Sequence, residues 1–338
     1  MRKGRYIIFF SVAVLLTLIL LWVNVYLGSS RFGADEILRI LFGDRSDTAH
    51  ANIIMNIRLP RAVSALLLGG ALALSGYMLQ TFFGNPIVGP FVLGISSGAK
   101  LAVALAMILC LSAGTDIGLA TMVLSAFIGA MAAMAFVLLI SVKVKSMSIL
   151  VVCGIMIGYI CSAITDFVVT FADDANIVNL HNWSMGSLSG INWDEIKIVT
   201  VIVIACIIFA VTLIKPMNAY RMGEAYARSV GVNILRLRVM LILVSSLLAA
   251  CVTAFAGPIS FVGIAVPHLA RLCLRRDAAH VMIPACFLGG AVVTLLCDVI
   301  ARTVFAPTEV SISSVTAVLL VPVVIVMMVR RRDRIGNE

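Results

Sequence analysis

The sequence predicts an all-α membrane protein with about ten transmembrane helices in a single domain, residues 1–338. Two observations carry this prediction. Hydrophobic residues make up 62% of the chain and charged residues only 12%, about half of the quarter that a soluble domain keeps on its surface. The charges are also unevenly placed. They cut the chain into apolar segments long enough to cross a bilayer as helices, which takes about 20 residues.

In order, the segments are 6–28, 60–82, 88–111, 117–140, 148–170, 195–214, 237–256, 258–274, 281–304 and 310–329. The first is too long for a signal-peptide core and lacks a clear small-residue cleavage site, so it reads as a retained span. After it, "GADEILRILFG" sets Ile37, Leu38, Ile40, Leu41 and Phe42 on a short interfacial helix. Asp35 and Glu36 stand near its N-terminus, where the helix dipole favours acids. Two charge-free runs are too long for one helix each. Ala62–Ala99 is broken by "GNPIVGP", Gly84 to Pro90, and Val239–Ala270 by Gly257-Pro258. Glycine and proline stop helices there, so each run reads as a hairpin of two spans.

Ten spans return both termini to one side. With the N-terminus cytoplasmic, 17 of the 25 Lys and Arg residues lie in inner segments, including short basic tails at 1–5 and 330–338. Outer segments hold seven, among them Arg31 and Arg45. The positive-inside rule fixes this orientation. It also accounts for the net charge of +9 without a nucleic-acid partner. The expected location is the cytoplasmic membrane, crossed many times and bathed in lipid. The hairpins hint at an internal repeat: Gly89-Pro90 precedes "FVLGI" and Gly257-Pro258 precedes "ISFVGI". One hairpin turns inside and the other outside. A repeated unit of five spans must therefore be inverted, a transporter signature.

Several function classes fall away. The eight cysteines are scattered through apolar runs with no C-x-x-C pair, and read as small buried hydrophobes. There is no H-E-x-x-H pattern and no G-x-x-x-x-G-K-[ST] phosphate loop. No catalytic residue, metal or cofactor of its own is expected, so the chain reads as a transport protein rather than an enzyme. Asp166 and Asp298 are the chief carboxylates within spans, which keeps an ion-coupled secondary transporter as the alternative. Asp166 also reads as a cap at the outer end of its span. Asp298 also reads as a local i,i+4 partner of Arg302.

Three groups of residues stand out. In "NIRLPRAVSAL", Arg58 and Arg61 lie outside, at a helix N-terminus with Pro60 suited to the first helical position. A cation there opposes the helix dipole. Headgroup anchoring is the plain reading. The functional one is an electropositive outer rim for an acidic partner, which Arg302 would complete. The longest inner loop, "YRMGEAYARSVGVNILRLR", suits a short helix at Glu224, Ala227 and Arg228 that Gly231 can stop. It is either a solvated connector or a lever that touches a cytoplasmic partner. Asn85 and Pro86, with Ser146, Met147 and Ser148, occupy inner turns and form a candidate inner gate.

The stretches "RLPRAVSALLLGGALALSGYMLQTFFGNP", "LGISSGA", "WSMGSLSGINW", "GEAYARSVGVN", "AGPISFVGIAVPHLARL" and "ARTVFAPTEV" resemble the FecCD/BtuC-like permeases of type II ABC importers. They run from about residue 58 to 310. The resemblance implies a BtuC-like inverted repeat and a homodimer with the pathway between the two copies. It implies two cytoplasmic ABC ATPase subunits, which hold ATP and magnesium, and an extracytoplasmic substrate-binding protein. Arg58, Arg61 and Arg302 match family arginines that meet acidic residues of that binding protein. Gly223, Glu224, Ala227 and Gly231 match the loop holding the helix that fits into the ATPase. Cargo in the family is an iron–siderophore, haem or cobalamin, and a ferric siderophore is expected here. The sequence departs from the family at Val88-Gly89, where Ala-Asp is usual, and at "CLRRD", where Gly-x-Asp often follows "PHLARL". In the last span, "VSIS" and "LVP" replace Leu-Pro-Val-Gly and Gly-x-Pro.

Overall fold

The computed structural model describes residues 2–28, 32–43, 48–112, 118–144 and 146–335. Arg31, Arg45, Lys145 and the last three residues of the basic tail lie outside the described residues. In chain order, α1 (Arg2–Tyr26) is followed by the short helices α2 (Ala34–Leu41) and α3 (Thr48–Asn52). A π-helical stretch, Ile53–Arg58, runs into α4 (Leu59–Phe83). A 3-10 turn, Pro90–Leu93, precedes α5 (Ile95–Ser112), α6 (Leu119–Lys143) and α7 (Met147–Val169). Next come α8 (Asp174–Ser184), α9 (Trp193–Thr212), α10 (Ile214–Arg221) and α11 (Glu224–Ser229). The chain ends with α12 (Ile234–Ala256), α13 (Val262–Leu274), α14 (Ala279–Thr303) and α15 (Ile312–Ile335). Every regular element among the described residues is helical.

Seven of these helices are long and apolar enough to cross a membrane: α1, α4 with the turns that lead into it, α6, α7, α9, α12 and α14. Shorter apolar helices, Ile95–Cys110, Val262–Leu274 and Ile312–Val326, fall in the three remaining predicted segments. Both expected hairpins are present. Gly84, at φ 61°, ends α4, and Gly257, at φ 71°, ends α12. The short helix expected after the first span is α2, with Ile37 and Ile40 buried against the rest of the chain.

The structure departs from the sequence reading in two respects. The predicted span 258–274 is helical only over the 13 residues of α13, about 20 Å at 1.5 Å per residue. Gly257, Pro258 and the left-handed Phe261, at φ 64°, keep the preceding chain out of the helix. In the matching place of the first half, Gly94 at φ 77° separates the 3-10 turn from α5. The helices α8 and α10 were not anticipated, because "DANIVNLHNWS" and "IKPMNAYR" carry no sustained apolar face.

Helix α4 lies at the centre. In the most apolar stretch of its span 83% of residues are buried, against 11% for α1. Small residues let its neighbours come close. A Cβ on Gly76 would run into the Gly263 carbonyl of α13, and one on Gly69 into Gly290 and Thr294 of α14.

The packing is internally symmetric. Helix α4 packs on α14 and α13, as α12 packs on α6 and α5. Helix α5 packs on α6 and α7, as α13 packs on α14 and α15. Exchanging α4–α7 for α12–α15 leaves these pairings unchanged. The two units run in opposite directions. Ala256, the last residue of α12, accepts a hydrogen bond from Ser187 N. Two residues on, Ser189 meets Arg61 at the start of α4. The repeat is therefore inverted.

The connections sort into two ends, as the alternation of segments required. Arg58, Arg61, Ser189 and Arg302 gather at one. Asn85, Met147 and Glu224 gather at the other. Helix α1 ends at the arginine end, where Asn24 reaches Leu295 and Arg302, so it begins at the opposite one. Helix α15 begins at the arginine end, where Ser313 donates to Pro258 O, and Val326 further along it reaches the opposite end.

Candidate functional site

At the arginine end, Arg61 and Arg302 converge on two carboxylates, and Arg58 stands beside them. Arg61, in the first turn of α4, donates through Nε to Asp298 Oδ1 at 3.0 Å. Its Nη1 reaches Ser189 Oγ at 2.7 Å and both oxygens of Glu309 at 3.0 Å. Arg302, one helical turn after Asp298, donates through Nε to Asp298 Oδ2 at 3.1 Å. Its other nitrogens reach the carbonyls of Leu27 and Asn24 and the Asn24 side chain. Arg58 donates to the carbonyls of Val25 and Tyr26 and lies 4.6 Å above the Phe32 ring. The cluster ties the end of α1 to α4, α14 and the loops at 187–191 and 304–311.

This geometry corrects the picture of a solvent-facing rim. Arg58 and Arg61 are 4% and 8% exposed, and Asp298 is fully buried. Their guanidinium groups are engaged inside the chain, because a buried charge is stable only when paired and hydrogen-bonded. The exposed member is Glu309, whose side chain is about half open to solvent. Burial alone would raise its pKa. Arg61, through charge and hydrogen bonds, with Ser189 and Arg302, outweighs that and holds the carboxyl below its ordinary value.

Asp298 also bears on the ion-coupled alternative. It was read as a local partner of Arg302, and that pair is present. Both of its oxygens are occupied, one by each arginine, which leaves no lone carboxylate for a coupling ion there. Asp166 is exposed on α7. Among the described residues no three His, Cys, Asp or Glu side chains come together as a metal site would require.

At the opposite end a cavity of about 770 Å³ opens between α4, α10, α11 and α13. Asn85, Pro86 and Met147 of the candidate gate line it, together with Gly223 and Glu224 of the candidate coupling loop. Ser146 and Ser148 flank Met147 and are exposed. Two turns read separately in the sequence thus meet at one opening.

The candidate coupling loop holds the short helix that its sequence predicts. Helix α11 spans Glu224–Ser229. Gly231, at φ 85°, terminates it in a left-handed conformation. Gly231 N bonds to Arg228 O and Val232 N to Ala227 O, which satisfies the last carbonyls of the helix. Glu224 receives Arg228 at 2.6 Å and Arg238 of α12 at 2.8 Å, pinning the helix to its neighbour. The expectation that Ala227 faces a partner is not met. Ala227 is fully buried within its own chain. The outward positions are Ala225, Tyr226, Arg228, Ser229 and Val230.

Sequence reasoning missed several members of both ends. Glu309 stands in "ARTVFAPTEV", where nothing local marks it as a partner of Arg61. Gln80, Arg271, Asp277 and Arg221 form a second polar cluster beside the cavity. Gln80 donates to the carbonyls of Gly263 and Ile264 and accepts from Arg271. Arg271 and Arg221 both pair with Asp277. Gln80 could have been found, since the one amide of the 60–82 span needs buried partners.

Comparison with known proteins agrees with the resemblance. The FecCD transport family profile matches residues 16–330. The chain is 32% identical to the hemin transport system permease protein HmuU of Yersinia pestis, over 94% of this chain and 95% of that one. It is 33% identical to the vitamin B12 import system permease protein BtuC of Salmonella arizonae, over 85% of this chain and 86% of the relative. Among solved structures, a metal-chelate type ABC transporter in an inward-facing conformation superposes with a TM-score of 0.84 at 28% identity. That match covers 96% of this chain and 99% of the other. With a matching profile over nearly its whole length and two relatives above 30% identity, the chain belongs to the FecCD transport family.

Proposed function

We propose that the chain is the membrane-spanning permease of an ABC importer that takes up an iron chelate, a ferric siderophore. The observation that carries the transport reading is the meeting of α11 with the cavity at one end of an inverted-repeat helical body. A short, outward-facing helix beside a polar opening suits a subunit that receives mechanical work from a partner. Two copies form the pathway between them, and an ATPase binds each copy at the cavity end, which faces the cytoplasm. A substrate-binding protein delivers cargo at the arginine end. There Arg58, Arg61 and Arg302 outnumber Asp298 and Glu309 and lend a positive field from beneath the surface. The resting gate lies at Asn85–Pro86 and Ser146–Ser148.

The cargo assignment rests on the similarity to a metal-chelate type transporter. Haem and cobalamin are the alternatives, because relatives at 32% and 33% identity carry those names. Competition uptake decides between them. Cells depending on this permease should accumulate radioactive iron from a ferric siderophore, and unlabelled haem or cyanocobalamin should not compete. Competition by either would reassign the cargo.

A further inference from the structure

We propose that Asp277 is the positioning residue through which displacement of the α10–α11 loop reaches the start of α13. The inference rests on the importer reading and adds a residue-level path to it. Asp277 stands in the turn between α13 and α14, at the wall of the cavity. Its Oδ1 accepts from Arg271 Nε at 2.9 Å. Its Oδ2 pairs with Arg221, the last residue of α10. Gly223 and α11 follow two residues later. Asn218 of the same short helix accepts from Ala279 N at 2.8 Å. Helix α10 is thus fastened to the α13–α14 turn at two points.

Beyond Asp277 the path is continuous. Arg271 Nη1 donates to Gln80 Oε1 at 2.7 Å. The Gln80 amide donates to Ile264 O at 3.2 Å and Gly263 O at 3.4 Å, in the first turn of α13. That turn abuts Gly76, where a Cβ would overlap the Gly263 carbonyl. Helix α13 is a short rod, preceded by a non-helical stretch at 257–261. A rod held at its two ends by one glutamine and one ion cluster moves as a unit when either is displaced.

Charge makes Asp277 the decisive member. Arg221 and Arg271 both approach Tyr77: Arg221 Nη1 lies 3.4 Å from its hydroxyl, and Arg271 lies 5.8 Å from its ring centroid. Two guanidinium groups so placed repel unless an anion stands between them. The side chains of Arg221 and Arg271 are 22% and 19% exposed, so water screens them less than at an open surface. Removing the charge of Asp277 should uncouple α10 from α13 while leaving the outward face of α11 intact.

The test uses the purified permease–ATPase complex. Ser260, just before α13, is replaced by cysteine and labelled with bimane, with the exposed Cys273 changed to serine. In the parent, adding ATP with vanadate should change bimane emission. Asp277→Asn should still co-purify the ATPase, but with the nucleotide-dependent change reduced about fivefold or more. Asp277→Glu should restore it, which a defect of general stability would not do. Arg221→Gln removes one arm of the cluster and supplies the same readout if Asp277→Asn does not fold. A full nucleotide response in folded Asp277→Asn, or none in the parent, overturns the proposal. Loss of the ATPase from Asp277→Asn also overturns it, since Asp277 would then only shape the docking loop. Absence of any ATPase from the parent complex instead refutes the importer reading on which the proposal stands.

Discussion

Ser75 and Ser245 exchange hydrogen bonds across the crossing of α4 and α12. Ser75 Oγ donates to Ser245 O at 2.7 Å, and Ser245 Oγ to Ser75 O at 3.0 Å. The pair joins the equivalent helices of the inverted repeat, so each half supplies the same contact to the other. Hydrogen bonds between membrane helices contribute about 0.6 kcal/mol on average. Ser75→Ala and Ser245→Ala should each lower stability by about that amount, and the double variant by less than the sum. Gly76→Ala, one residue on, should cost about 1–3 kcal/mol, because its Cβ has no space beside Gly263. Unfolding of the purified protein measures all four. Full additivity for the serines would count against a shared pair.

The arginine cluster predicts two unequal carboxylates. Asp298→Asn leaves Arg61 and Arg302 buried without their common anion, and breaking a buried pair costs about 3–5 kcal/mol. Glu309→Gln removes a half-exposed partner, and exposed pairs contribute about 0–1 kcal/mol. The first variant should lose most of the membrane-inserted protein, while the second should be nearly normal in amount. For the same reason, reversing Arg61 to glutamate would damage the fold before it tested docking. Equal yields for the two variants would show that the buried network is dispensable.

Glu309 also sets a pH dependence. Its pKa is depressed below the ordinary 4.5, so its bond to Arg61 is complete above that value and is lost as pH falls through the lower, folded one. A spin label at Phe305→Cys, on the loop that Glu309 fastens, should keep constant mobility from pH 7 down to about 4.5. Mobility should rise only below that. The added Glu309→Gln change should make the label mobile throughout. Loosening that begins well above pH 5 would assign the fastening to another group.

Much of this architecture is legible in the sequence, because charges and Gly-Pro breaks mark where apolar helices start and stop. The lengths of α4, α6, α7, α12 and α14, both hairpins, the short helix α2 and the end of α11 before Gly231 are read in this way. Side-chain partners are not. Arg61 and Asp298 are 237 positions apart in the chain, and no local signal marks their meeting. A guanidinium at an outer turn reads as exposed until the end of α1 and the 304–311 loop are known to cover it. Ala227 shows the same failure on a smaller scale. Its size was informative, but which face of a one-turn helix is buried depends on α12 and Arg238, outside the local pattern.

The sidedness of the two ends has a direct measure. Asn85→Cys and Met147→Cys line the cavity and should react with a membrane-impermeant maleimide only when the cytoplasmic face is accessible, as in inside-out vesicles. Phe305→Cys should react only in right-side-out cells. The native Cys273 is exposed at the cavity end and is replaced by serine in all three. The two cavity-end cysteines should also cross-link to their symmetry mates through a short reagent in the resting dimer. The opposite labelling pattern would invert the topology, and failure of both cross-links would place the dimer axis elsewhere.

Docking of the ATPase is best tested on the outward face of α11. Tryptophan at Ala227 would test docking only if that side chain faced the partner, where a large group fills space the partner needs. Ala227 is buried under its own helix, so Ala227→Trp would distort the loop itself, and loss of the ATPase would then prove nothing about contact. Tyr226 and Val230 are 46% and 53% exposed and project from the chain. Both are apolar enough to anchor in a cleft, and aromatic anchors dominate interface energies. Tyr226→Ala should cost about 2 kcal/mol of binding, a loss of about thirtyfold in affinity. Val230→Asp should be worse, because it would bury an unpaired charge. Arg228→Ala should matter less, since its half-buried partner Glu224 remains held by Arg238. Co-purification through a tag on the permease gives the order directly. Wild-type amounts of ATPase on the Tyr226 and Val230 variants would show that α11 is a connector and that the partner seats elsewhere on the cavity end.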